Sequence, residues 1–129
     1  MERDTIAPEF KNALVGRKLT SVAFSAYQLA LGFCRDAQID NACFGINAAV
    51  VLLKGPETIQ QDSPMFKDAI CNLLGDSVVD LENRNGTEFL IGFSSGTKVS
   101  IDLAGYDGVE AAIFGNTDGV MVIFNRCSN

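Results

Sequence analysis

The stretch Phe89-Leu90-Ile91-Gly92-Phe93-Ser94-Ser95-Gly96-Thr97-Lys98-Val99-Ser100-Ile101-Asp102-Leu103 decides the fold. Phe89, Ile91 and Phe93 fall at every second position, Ser95-Gly96 marks a turn, and Val99, Ile101 and Leu103 then alternate with Lys98, Ser100 and Asp102. Successive strand side chains point to opposite faces, so this period predicts an antiparallel hairpin with one buried face. Upstream, Val79 and Leu81 alternate with Asp80 and Glu82, and Asn85-Gly86 is a type I′ hairpin signal. Before that, Phe66, Ile70, Leu73 and Leu74 recur at helical spacing, with Ser63 as N-cap, Pro64 at N1 and Gly75 as the stop. Downstream, a loop over Ala104–Gly108 leads to a strand at Val109–Phe114 and a turn at Asp118-Gly119. The apolar run Val120–Phe124 closes the unit, either buried on both faces or paired with a second copy.

The same plan stands earlier in the chain. Pro8-Glu9-Phe10-Lys11-Asn12-Ala13-Leu14 returns 56 residues on as Pro64-Met65-Phe66-Lys67-Asp68-Ala69-Ile70. Leu29, Leu31, Gly32, Phe33 and Ile39 return 60 residues on as Phe89, Ile91, Gly92, Phe93 and Val99, and Gly45–Val51 returns 63 residues on as Gly108–Phe114. The first copy therefore predicts a helix from Pro8 to a stop at Gly16. Strands follow around Leu19–Phe24, Leu29–Phe33, Gln38–Phe44 and Ile46–Leu53. Cys71-Asn72-Leu73 is extra in the second copy, so its helix is expected to be nearly a turn longer. Gly55-Pro56 argues against a central strand where the closing strand should recur, leaving a polar connector. Gly32 and Gly92 recur inside a strand, as at a bulge or a close approach.

The expected fold is α+β, a single domain over residues 1–129, with repeat 1 at about 8–53, a connector at 54–62 and repeat 2 at about 63–125. An internally duplicated helix-plus-antiparallel-meander unit is related by a pseudo-two-fold. Its two helices pack on one large curved antiparallel sheet or on two packed sheets.

Composition narrows the function. A net charge of −6 with scattered Lys and Arg leaves no basic footprint for nucleic acid, whereas an acidic surface suits a basic protein partner. Met1-Glu2-Arg3-Asp4 lacks the apolar region of a secretory signal, and no apolar run approaches a membrane span, so a cytoplasmic location is expected. Histidine is absent, which removes the usual general base and most zinc sites. Cys34, Cys43, Cys71 and Cys127 form no CxxC pair and read as free thiols. Asp80 with Glu82 could do acid–base work but reads first as the solvated face of a strand, and the Asp107-Gly108 and Asp118-Gly119 pairs read as turns before calcium loops. The expectation is no enzyme, no metal and no cofactor. Tyr106, an aromatic beside Asp107 and near Glu110 and Asp118, heads the candidate binding residues; Glu57, Gln60 and Asp62 in the divergent connector come second.

The second copy reads Leu74-Gly75, a strand, Phe89-x-Ile91-x-Phe93-x-x-Gly96-x-x-Val99-x-Ile101, and then Glu110-Ala111-Ala112-Ile113. This resembles small bacterial proteins with the pattern L-x-G … L-x-F-x-x-G-x-x-L … E-[AS]-[WA]. Some of these look like immunity proteins of contact-dependent growth inhibition and polymorphic-toxin systems. The first copy departs from the pattern at Asn47, where the second has Glu110, and at Phe33-Cys34-Arg35-Asp36. The resemblance implies a non-catalytic immunity protein that neutralises a cognate toxin, here a basic nuclease met by an acidic surface. The alternative is a small-molecule-binding or regulatory module with a pocket between the repeats.

Overall fold

The computed structural model describes residues 8–25, 28–34, 41–84, 88–103, 110–116 and 121–125. Its elements run α1 (Pro8–Leu14), β1 (Lys18–Phe24), β2 (Leu29–Cys34), β3 (Asn41–Ile46), β4 (Val50–Lys54), β5 (Glu57–Gln60), α2 (Phe66–Cys71), β6 (Val78–Arg84), β7 (Glu88–Phe93), β8 (Lys98–Asp102), β9 (Glu110–Asn116) and β10 (Met121–Asn125). Sheet I has the order β1-β2-β3-β9-β10 and sheet II the order β6-β7-β8-β4-β5. Every pairing is antiparallel. Two sheets and two short helices make a strand-rich α+β fold. No helix among the described residues is long and apolar enough to cross a membrane.

One core joins the layers. Phe33, Phe44 and Phe114 from sheet I and Phe89, Ile91 and Ile101 from sheet II belong to one buried cluster, with Leu14 beside α-helical Phe66 and Ile70. Phe44 sits at the seam. Its ring meets Phe89 of the other sheet edge-on at 6.0 Å and Phe114 of its own sheet at 5.9 Å, the geometry that aromatic quadrupoles favour. The core-facing set read from Phe89 to Leu103 holds: Phe89, Ile91, Phe93, Val99, Ile101 and Leu103 all join the core, while Leu90 and Ser100 between them are buried on the opposite face.

The sheets are also stitched where β1 and β6 begin. Gly16 N–H donates to the Val78 carbonyl and Gly75 N–H to the Leu19 carbonyl, both at 2.8 Å. Val78 N–H donates to Arg17 and Leu19 N–H to Asp76, both at 2.9 Å. Gly16 and Gly75 end the helical segments with φ of +96° and +93°, a conformation costly for any residue with a Cβ. Arg17 is buried and its Nε donates to the Ala13 carbonyl, satisfying the end of α1.

Several expectations need correcting. The strand expected to be missing near 54–61 exists: β5 pairs with β4 from Lys54↔Glu57 to Val51↔Gln60. Gly55-Pro56 forms its hairpin turn, with Gly55 at φ +60°, and proline is tolerated because β5 lies at a sheet edge. The second helix is no longer than the first. It starts at Phe66, with Ser63-Pro64 in the preceding turn, and then tightens into i→i+3 bonds at Leu73 and Leu74. Val79 is 54% exposed, because the β6–β7 register shifts between Val78 and Asp80 and puts Val78 inside instead. β1 carries the same shift between Leu19 and Ser21. The recurring glycines face these bulges, Gly32 opposite Ser21 and Gly92 opposite Asp80. The fourth strand begins later than expected, at Val50, because Gly45 and Ile46 continue the third; the expected start of the third at Gln38 lies outside the described residues.

Candidate binding face on sheet II

The pairing registers place three rows of residues on the face of sheet II that points away from the core. One row runs Asp80-Gly92-Lys98-Leu53-Thr58 and the next Glu82-Leu90-Ser100-Val51-Gln60; the third runs Arg84-Glu88-Asp102. Four carboxylates stand against two cations. The apolar residues gather in the middle: Leu90 is only 2% exposed although it lies outside the inter-sheet core, and Val51 and Leu53 are half-buried. An apolar floor with a charged rim is the anatomy of a protein-binding patch.

A groove of about 410 Å³ crosses this face. Val51, Leu53 and Ser100 line its floor, Thr58 and Gln60 one side, and Glu88 and Asp102 the other. Glu88 and Asp102 are directly cross-strand, a like-charge pairing that costs stability and concentrates negative potential. Ser100 Oγ donates to Glu88 Oε2 at 2.5 Å. Arg84 Nε donates to Glu82 Oε2 at 3.0 Å, and its Nη1 lies 3.6 Å from Glu88 Oε1. The hydrogen bond and charge of Glu82, with a further contribution from Glu88, raise the Arg84 guanidinium above its ordinary value.

The corresponding face of sheet I is different. Among the described side chains its rows read Ser21-Gly32-Cys43-Gly115 and Ala23-Ala30-Gly45-Ile113, small or apolar residues, with Lys18 opposite Cys34 in the next row. The two outer faces therefore differ in charge.

The expected binding residues are only partly brought together. Tyr106, Asp107 and Asp118 lie outside the described residues. Glu110 opens β9, opposite Asn125, in the other sheet from Glu57 and Gln60. Gln60 lines the groove, and exposed Glu57 pairs with Lys54 at the hairpin. Asp62 lines a separate cleft of about 460 Å³ with Phe24, Ser25, Ser63 and Lys67, where Lys67 Nζ lies 5.3 Å from the centre of the Phe24 ring. Glu88 and Asp102 were not among the expected site residues. Strand alternation marks Asp102 as outward-facing, but only the β7–β8 register shows that it meets Glu88.

Among the described residues no group of three potential metal ligands occurs. Cys34, Cys43 and Cys71 form no disulfide, with Cys43 and Cys71 exposed; Cys127 lies outside the described residues. No protein family, curated protein or solved structure was found to match the chain.

Proposed function

We propose that this chain is a non-catalytic binding protein that neutralises a basic protein toxin in the cytoplasm, as the immunity-protein resemblance implies. The observation that carries the reading is the outer face of sheet II. Glu82, Glu88, Asp80 and Asp102 flank the half-buried Val51 and Leu53 on a five-stranded sheet. Such a field steers a cationic partner and rejects anionic ones, while the apolar floor supplies desolvation energy on contact. Tyr106, Asp107, Glu110 and Asp118 remain part of the proposal as flanking contacts.

The reading is tested by co-expression with the protein encoded immediately upstream. The two should co-purify and the chain should protect growth. A double variant, Glu88→Lys with Asp102→Lys, should lose both properties while staying folded. Equal protection by that variant defeats the proposal.

We also propose that the fold is an internal duplication with a pseudo-two-fold axis. Each helix is followed by five strands, and matching β1–β5 with β6–β10 in order exchanges the two sheets. The reciprocal bonds of Gly16 and Gly75 and the two matching bulges follow the same correspondence. By ladder position Leu19 answers Val78, Gly32 answers Gly92, Phe44 answers Val99 and Val50 answers Ala112. This differs from the sequence matching, which sets Ile39 against Val99 and Val50 against Ile113. β5 then answers β10, so a polar edge strand stands where the other half has an apolar one.

A second reading has its own observation. The 460 Å³ cleft lies between the end of β1 and the segment entering α2, one wall from each proposed repeat, and Phe24 is 42% exposed there beneath Lys67. It suits a small anionic molecule with an apolar ring. A ligand retained in native mass spectrometry, and lost with both Phe24→Ala and Lys67→Ala, would favour this reading.

A further inference from the structure

Among the described strands, four lie at sheet edges: β1 and β10 in sheet I, β5 and β6 in sheet II. An edge strand is a template for another chain, and proteins blunt it with bulges or lysines. The ladders of β1, β6 and β10 all contain a register shift, and β1 and β6 are further tied together by the Lys18↔Ser77 bridge. The ladder of β5 has none, and its own residues, Glu57-Thr58-Ile59-Gln60, include no cation.

The hairpin geometry says which groups this edge offers. A two-residue turn makes Lys54 and Glu57 a hydrogen-bonded pair, and pairs then alternate along the ladder. Glu57 and Ile59 therefore bond to β4, while the backbone groups of Thr58 and Gln60 point away from the sheet. The Gln60 carbonyl accepts from Ser63 N–H at 3.0 Å. The Thr58 N–H and carbonyl and the Gln60 N–H remain at the edge. Thr58 and Gln60 also form one wall of the groove that ends at Glu88 and Asp102.

We propose that the free edge of β5 takes an extended basic segment of the protein partner as a sixth strand of sheet II, with a long cationic side chain of that segment lying in the groove. The aliphatic stem of an arginine or lysine would cover Val51 and Leu53, and its charge would point toward Glu88 and Asp102. Exposed Glu57 at the start of the same strand adds to the negative field. A second copy of this chain is the wrong occupant by charge, since it carries −6 as well. The proposal rests on the reading of a basic protein partner and adds the place and mode of contact.

The test uses a synthetic probe, acetyl-Arg-Val-Arg-Thr-Arg-Val-Arg-amide, titrated into the full chain with amide NMR as the readout. Two further probes carry N-methyl groups on alternate residues, in one phase or the other. All three have the same charge, but strand pairing needs the amides of only one phase. The unmodified probe should shift the Thr58 and Gln60 amides, and one methylated phase should bind at least about tenfold more weakly while the other stays within about threefold. If both methylated probes bind like the unmodified one, charge alone holds the peptide; the edge proposal fails and the basic-partner reading survives. If the unmodified probe does not bind, both fail. A chain that already sediments as a dimer, and whose Thr58 and Gln60 amides are released by the probe, would assign the edge to a second copy and overturn the proposal.

Discussion

Ser21 stands over Gly32 across the β1–β2 ladder, so close that a Cβ built on Gly32 would overlap the Ser21 hydroxyl. The matching glycine, Gly92, has more room: its added Cβ would lie 3.6 Å from the Asp80 Cβ, an ordinary contact. The bulge is shared, but the space above the glycine is not. Alanine normally improves a strand interior by about 0.5–1 kcal/mol over glycine. Gly92→Ala should therefore raise stability by about 0.5 kcal/mol, whereas Gly32→Ala should gain nothing until Ser21→Ala removes the obstacle. Urea unfolding of the three variants and the double variant checks the signs.

Phe44 joins the sheets through its edge contacts with Phe89 and Phe114. Phe44→Ala should cost about 3–5 kcal/mol, a large fraction of the stability of a domain this size. Because one cluster spans both sheets, far- and near-ultraviolet circular dichroism should report a single shared transition for the wild type. Two separated transitions would argue for independently folding halves.

Gly16 and Gly75 hold positive φ at the two stitching points and bond reciprocally across them. Gly16→Ala and Gly75→Ala should each destabilise by about 1 kcal/mol or more, and by similar amounts, because a Cβ opposes the backbone conformation at both. Equilibrium unfolding measures this. A large cost at one position and none at the other would weaken the case for duplication.

Arg84 occupies Glu82 and Glu88 on the proposed binding face. Its removal exposes negative charge without opening the core. Arg84→Gln should leave thermal stability unchanged and tighten the complex with a basic partner several-fold, with a steeper salt dependence. Isothermal calorimetry at two ionic strengths gives the comparison.

The hairpin at Phe89–Leu103 was legible because period two survives intact over both strands, from Phe89 to Phe93 and from Val99 to Leu103. The bulges hid the neighbouring strands. One extra residue inverts the alternation, which is why Val79 looked buried and Val78 did not. β5 was hidden by Gly55-Pro56, which breaks a central strand but makes a good turn before an edge one. The proposed binding face was half legible. Asp80, Glu82, Lys98, Ser100 and Asp102 declare their outward parity locally. The β4–β8 ladder that brings Val51, Leu53, Thr58 and Gln60 beside them joins residues about 50 apart in the chain, and no local pattern encodes that partnership.

The most direct test of the central claim is the affinity of the chain for the protein encoded upstream, measured by calorimetry from roughly 50 to 300 mM salt. The wild type should bind tightly and weaken by about tenfold or more over that range, and Glu88→Gln with Asp102→Asn should weaken binding about tenfold at low salt and flatten the salt dependence. A charge placed on the other outer face, Ala23→Glu, should change neither. An affinity indifferent to salt and to the Glu88 and Asp102 substitutions, or a loss caused by Ala23→Glu, would contradict the account.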